Sequence, residues 1–124
     1  MVDVRDAITQ DFVALLGSEP ARSVHAVTML EDGEPLVIGG FYHDGDRLVV
    51  FGEVKPGADI AAWGRRRAMV AGYRRIVELL EARGIFAYAG ADPVPGAGQL
   101  LEHMGFERVL GPYYRRVPGR QAWT

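Results

Sequence analysis

Two Asp-Gly pairs, Asp32-Gly33 and Asp44-Gly45, divide the stretch from Ser23 to Val54 into three apolar runs. Asp-Gly favours tight hairpin turns, whose central residues need positive φ. The runs Ser23–Leu30, Pro35–Tyr42 and Arg47–Val54 therefore predict an antiparallel meander. In the third run, Leu48, Val49, Val50, Phe51 and Val54 put apolar groups on both faces. That pattern predicts a central strand covered on each side.

The period changes after Lys55-Pro56-Gly57. Met69, Tyr73, Ile76 and Leu80 recur at helical spacing and predict a long helix from Asp59 to Ala82, with Asp59 as N-cap and Gly84 as the stop. Ile85–Ala89 is a short strand reached through a crossover helix, so it should run parallel to the strand before that helix. A Pro/Gly loop over Asp92–Gly98 follows, then a short helix over Gln99–Met104. Phe106–Leu110 and Tyr113–Val117 are the last strands, parted by Gly111-Pro112. Ahead of the meander, Ile8, Phe12, Leu15 and Leu16 predict a first helix over Asp6–Leu16, closed by Gly17. Antiparallel hairpins followed by a β-α-β crossover give an α+β class: a mixed sheet of about six strands, with the long helix and shorter helices on its faces. A chain of 124 residues, 48% apolar, fits one domain over 1–124, with 118–124 as a C-terminal tail.

Composition removes several classes of function. Cysteine is absent, which excludes disulfides, thiol catalysis and Cys-ligated metals. His25, His43 and His103 lack ligand spacing, so no metal site is expected. A net charge of −2 argues against nucleic acid as a partner. No apolar run reaches the roughly 20 residues of a membrane helix. The N-terminal MVDVRDAITQ has no apolar core of a secretory signal. No Ser–His–Asp arrangement or Walker-type loop can be composed.

The element order, together with GQLLEHMGFERVLGPYYRRV over Gly98–Val117, resembles the GNAT superfamily of N-acetyltransferases. The resemblance implies acetyl-CoA as cofactor, its pyrophosphate gripped at the N-terminus of the long helix by a Gln/Arg-x-x-Gly-x-Gly/Ala turn. Helix starts suit anions because they present unpaired N–H groups and the positive dipole end. Here the matching segment reads VKPGADIAAWGRRRAMV, whose glycines Gly57 and Gly64 are seven residues apart and do not fit that turn. The resemblance also implies a tyrosine acid in the short helix, at a position occupied here by Leu101. EPLVIGG, Trp63 ahead of Arg65–Arg67, MVAGYRR and LLEHMGF, in that order, are similar to the small GNAT-like proteins of tailed bacteriophages, such as the small internal virion protein of short-tailed phages.

That closer likeness implies a non-catalytic virion-associated or assembly component with a degenerate acetyl-CoA loop and no cofactor. Its partners would be other phage virion or assembly proteins, and its place the virion or the host cytoplasm. The alternative is a divergent acyl-CoA-dependent N-acetyltransferase. Under that alternative Gly64, Arg65, Arg66 and Arg67 are the candidate cofactor grip, by charge-assisted contacts to phosphate. Glu53, late in the central strand on the face of Val49 and Phe51, is the candidate general base, with a pKa raised by partial desolvation. Tyr113 and Tyr114 should split between surface and core. Arg120 and Trp123 are of types favoured at interfaces and are the candidate partner contacts.

Overall fold

The computed structural model describes residues 2–57, 67–91 and 96–119, except for the side chains of 2 and 67–69. Ten elements follow one another: β1 Val2–Asp6, α1 Thr9–Leu16, β2 His25–Glu31, β3 Glu34–Asp44, β4 Arg47–Val54, α2 Arg67–Arg83, β5 Ala87–Gly90, α3 Ala97–His103, β6 Glu107–Leu110 and β7 Tyr113–Arg116. The seven strands form one mixed sheet in the order β1-β2-β3-β4-β5-β7-β6. The fold class is thus α+β, as the alternation of patterns predicts.

Both hairpins form, the first around Asp32-Gly33 and the second around Gly45-Asp46, one residue on from the expected pair, since Asp44 ends β3 opposite Arg47. Asp32 and Gly33 both take positive φ, 51° and 83°, which a two-residue hairpin with the native strand twist requires. β3 and β4 pair from Val37↔Val54 to Asp44↔Arg47. β4 is the middle strand and pairs parallel with β5, as a crossover helix demands.

The sheet has one strand more than the sequence suggests. Val2–Asp6 is β1, an edge strand antiparallel to β2 with Val4 opposite Met29. The first helix accordingly begins at Thr9 rather than Asp6. Five residues with two alternating valines carry little periodic signal, and the pairing is supplied by β2. Ile8, assigned to the helix stripe by its spacing, is instead the residue before the helix and is half exposed.

Neighbouring residues on a strand face opposite ways, and the helices use this. Thr28 donates a hydrogen bond to Asp11 of α1, while the next residue, Met29, lies against Gly72 of α2. α1 and α2 therefore cover opposite faces. The main core lies on the α2 side, where Met29, Phe41, Leu48, Tyr73, Ile76 and Leu80 join Leu101, Met104 and Phe106 from α3 and its C-terminal end. The predicted stripe on the long helix is confirmed at Tyr73, Ile76 and Leu80, all at most 3% exposed. Its expected start near Asp59 lies outside the described residues. Gly84 closes α2 with φ 66°. No described helix is long and apolar enough to cross a membrane.

The C-terminal strand is locked to α2. Arg116 is buried, pairs with Glu81 and donates to the carbonyl of Met104 at 2.9 Å. The Gly119 N–H donates to the same Glu81 carboxylate at 2.9 Å, so the segment after β7 is anchored as far as residue 119.

Candidate functional site

β4 and β5 run side by side for only three residue pairs, the last being Val50↔Ala89. Beyond that point β4 continues to Val54 against β3, whereas Gly90 of β5 pairs with Tyr113 of β7. The two parallel strands part, and from Phe51 onward the β5-facing backbone of β4 has no ladder to β5. A cleft of about 640 Å³, its open mouth included, occupies the gap. α2 roofs it with Tyr73 and Ile76, and α3 with Ala97, Leu100 and Leu101.

Where the strands part, the floor of the cleft includes two glycines. Gly52 and Gly90 lie on either side of the parting strands, and both line the cleft. A Cβ built on Gly90 meets nothing within 4 Å among the described residues, and one on Gly52 meets only the Ile38 carbonyl oxygen at 3.9 Å. Neither residue has positive φ, so backbone conformation does not require glycine at either place. Glycine in a strand interior weakens the strand and commonly marks close approach of a ligand or another backbone. Space kept free at the mouth of a parted pair is what a slender ligand lying between the strands needs.

Polar chemistry near the cleft is sparse. Tyr73 carries the only polar side-chain group among the described lining residues. Burial pushes its phenol up to about 12, and at neutral pH the hydroxyl carries a proton that a ligand could accept. Leu101, where the family resemblance calls for an acid, is 7% exposed and forms part of the wall. Its hydrocarbon side chain packs in the core and has no proton to give.

Glu53 lies on the other side of β4. It is half-buried, opposite Ile38 in the register, and on the α1 face with Val49 and Phe51, as its position in the alternation predicts. It does not line the cleft, whereas its neighbours Gly52 and Val54 do. The parted strands thus separate an apolar chamber on the α2 side from a carboxylate on the α1 side. Tyr113 and Tyr114 split as expected: Tyr113 is 64% exposed and Tyr114 8%.

Of the remaining sequence candidates, Gly64, Arg65 and Arg66 lie outside the described residues, as do Arg120 and Trp123. Arg67 is the first residue of α2, described by its backbone alone. No cluster of metal-ligating side chains occurs among the described residues. Sequence reasoning missed Gly52 and Gly90. The available signal was a glycine inside a strongly apolar strand, Phe51-Gly52-Glu53, which packing alone does not call for.

No protein-family model matches the chain. No curated protein matches it either. Solved structures do. The ribosomal-protein-S18-alanine N-acetyltransferase from Escherichia coli superposes with a TM-score of 0.64 at 15% identity, covering 98% of this chain and 96% of that one. YncA from Salmonella typhimurium, solved with its cofactor acetyl-CoA, gives 0.61 at 13% identity over 99% and 98%. The PaiA N-acetyltransferase from Thermoplasma acidophilum, in complex with coenzyme A, gives 0.61 at 7% identity over 94% and 99%. End-to-end coverage at this level of superposition shows that the chain has the fold of the GNAT N-acetyltransferases.

Proposed function

We propose that this chain is an acyl-CoA-dependent N-acyltransferase that takes the pantetheine arm of its cofactor between β4 and β5. The observation that carries the reading is the parted strand pair with its open floor at Gly52 and Gly90. A pantetheine arm is narrow, partly apolar and has two amides. The backbone edge of β4 past Val50, unpaired with β5 among the described residues, suits those amides, since open strand edges accept added strand-like partners. Two of the similar structures are described with acetyl-CoA or coenzyme A bound, which supports a ligand of this class.

When bound, such a cofactor supplies an activated acyl carbon and a thiolate leaving group. Glu53, on the α1 side of the parted strands, would accept the proton of an amine arriving from that side, directly or through a water. A backbone N–H of β4 beyond Val50 is the donor available to the acyl oxygen. Leu101 provides no acid. A thiol with a pKa near 8.5 departs largely without one, so its absence slows the reaction rather than forbidding it. Gly64, Arg65, Arg66 and Arg67 remain the candidate phosphate contacts.

A second reading keeps the fold and omits the chemistry. Leu101 in the cleft wall and the absence of a Gly-x-Gly turn in VKPGADIAAWGRRRAMV favour a virion-associated or assembly component of a tailed phage, with Arg120 and Trp123 among its contacts. It would use no cofactor and bind other phage proteins.

Thermal unfolding with and without acetyl-CoA or CoA separates the two. Cofactor at 100 times its dissociation constant adds roughly 2.7 kcal/mol to stability. A rise in melting temperature, lost in Gly52→Val, together with release of free thiol in the presence of amines, supports the transferase. No shift at millimolar cofactor, with co-purification in phage particles, supports the second reading.

A further inference from the structure

We infer that the cleft is shaped for an acyl group longer than acetyl, a linear apolar chain with a few further methylenes. The inference rests on the acyl-CoA reading above and concerns the end of the ligand that is transferred.

The chamber does not stop at the seam between β4 and β5. Its lining continues under α2 across β4, at Val50 and Val54, to Val37 and Gly39 of β3. Adjacent strands lie about 4.8 Å apart, so the space extends roughly that far sideways from the seam. A cofactor arm following the seam with an acetyl group at its tip leaves this side space unused.

The walls of the side space are hydrocarbon. Val37 and Val54 are cross-strand partners on its sheet side, and Ile76 closes it from α2. No charged side chain lines the cleft among the described residues. Such a hollow holds water poorly, because water needs two to four polar partners. An apolar chain fills it with favourable contacts, and each buried methylene strengthens binding by about fourfold. At Gly39 the end of the Ile76 side chain lies 2.8 Å from where a Cβ would sit and marks the far limit of the space.

Isothermal titration of the intact protein with CoA and with acetyl-, butyryl-, hexanoyl- and octanoyl-CoA tests this. Affinity is expected to rise about fourfold per added methylene from acetyl to at least butyryl, then to level or fall once the space is full. Succinyl-CoA, of butyryl-like length but charged, should gain nothing over acetyl-CoA. Val54→Phe should remove the gain for hexanoyl-CoA, with circular dichroism confirming that the variant is folded. A series that is flat or falls from acetyl onward overturns the inference and leaves the acyl-CoA reading standing. Tighter binding of succinyl-CoA than of butyryl-CoA also overturns it, as does a hexanoyl gain that survives Val54→Phe. Failure of every member to bind removes both readings.

Discussion

Asp11 is a carboxylate only 2% exposed, held where α1, β1 and β2 meet. Burial opposes its charge. Arg5 answers with two hydrogen bonds at 2.6 and 2.8 Å, and the Ile8 N–H and the Thr28 hydroxyl donate at 2.9 and 2.7 Å. Together they hold its pKa below the ordinary 3.8. The same four bonds start α1, since one carboxylate ties the residue before the helix, the edge strand and β2 together. Asp11→Ala would leave the Thr28 hydroxyl and the Ile8 N–H without their partner in a dry place. The expected loss is about 2–4 kcal/mol, read as a lower urea midpoint with an unchanged slope. Asp11→Asn retains an acceptor and should lose less. Equal losses would mean that the charge, and not the hydrogen bonding, is what this position supplies.

At the scale of elements, β4 is where stability and function part. Most of the strand is dictated by packing, with Leu48 fully buried and Val50 in contact with the core. Gly52 is not. A Cβ there meets only the Ile38 carbonyl oxygen at an ordinary distance, and strand-interior glycine costs roughly 0.5–1 kcal/mol relative to alanine. Gly52→Ala is therefore predicted to raise stability by up to that amount while weakening binding of CoA thioesters at least tenfold. A more stable variant that binds as well as the parent would show that the gap beside Gly52 has no ligand. Gly40 of β3 is the counterexample. A Cβ there would overlap the His25 carbonyl oxygen and the Cα of Ala26, which are backbone atoms that cannot move aside. Gly40→Ala should cost about 1–3 kcal/mol in the same denaturation experiment. Two neighbouring glycine-containing strands thus use glycine for different reasons, one for close contact and one for open space.

For the molecule as a whole, three titratable groups with hydrogen-bonded partners, His25, Asp11 and Glu81, shape the response to acid among the described residues. The imidazole of His25 is disfavoured as a cation first by desolvation and then by Arg83 and His43, so its folded pKa is below 6.5. The Arg83 guanidinium donates to its Nε2 at 3.0 Å, which requires that nitrogen to be unprotonated. The unfolded chain takes up this proton near 6.5 and the folded chain resists it, so stability starts to fall as the pH drops through that value. Asp11 and Glu81 have the same sign in a lower window. At Glu81, burial is outweighed by hydrogen bonds from Arg116 and the Gly119 N–H, and its pKa lies below 4.5. The stability from these two carboxylates is complete above their unfolded values, 3.8 and 4.5, and is lost as the pH falls through the lower folded ones. Urea midpoints should be level between pH 7.5 and about 9, slightly lower at 5.5 and much lower at 3.5. His25→Gln should abolish the first decrease alone. A midpoint that rises between pH 7.5 and 5.5 would contradict the His25 assignment.

The sequence by itself determined the order of elements. Asp32-Gly33 and Gly45 impose hairpins through local turn geometry. The stripe of Tyr73, Ile76 and Leu80 imposes a helix through its period, and Gly17 and Gly84 end helices through backbone freedom. Each of these signals acts within a few residues, so each can be read along the chain. β1 could not be read in the same way, because Val2–Asp6 becomes a strand only by pairing with β2. The site divides along the same line. Glu53 and Leu101 were legible as positions within a strand and a helix, and the structure places both on the expected elements. The cleft was not legible, since it depends on where two strands distant in sequence stop pairing. Nothing in Phe51-Gly52-Glu53 or Tyr88-Ala89-Gly90 states that their ladder ends at Val50↔Ala89. Only the packing of α2 and α3 over the sheet, with β4 and β5 parting after Val50↔Ala89, put Gly52 and Gly90 in the floor of a chamber.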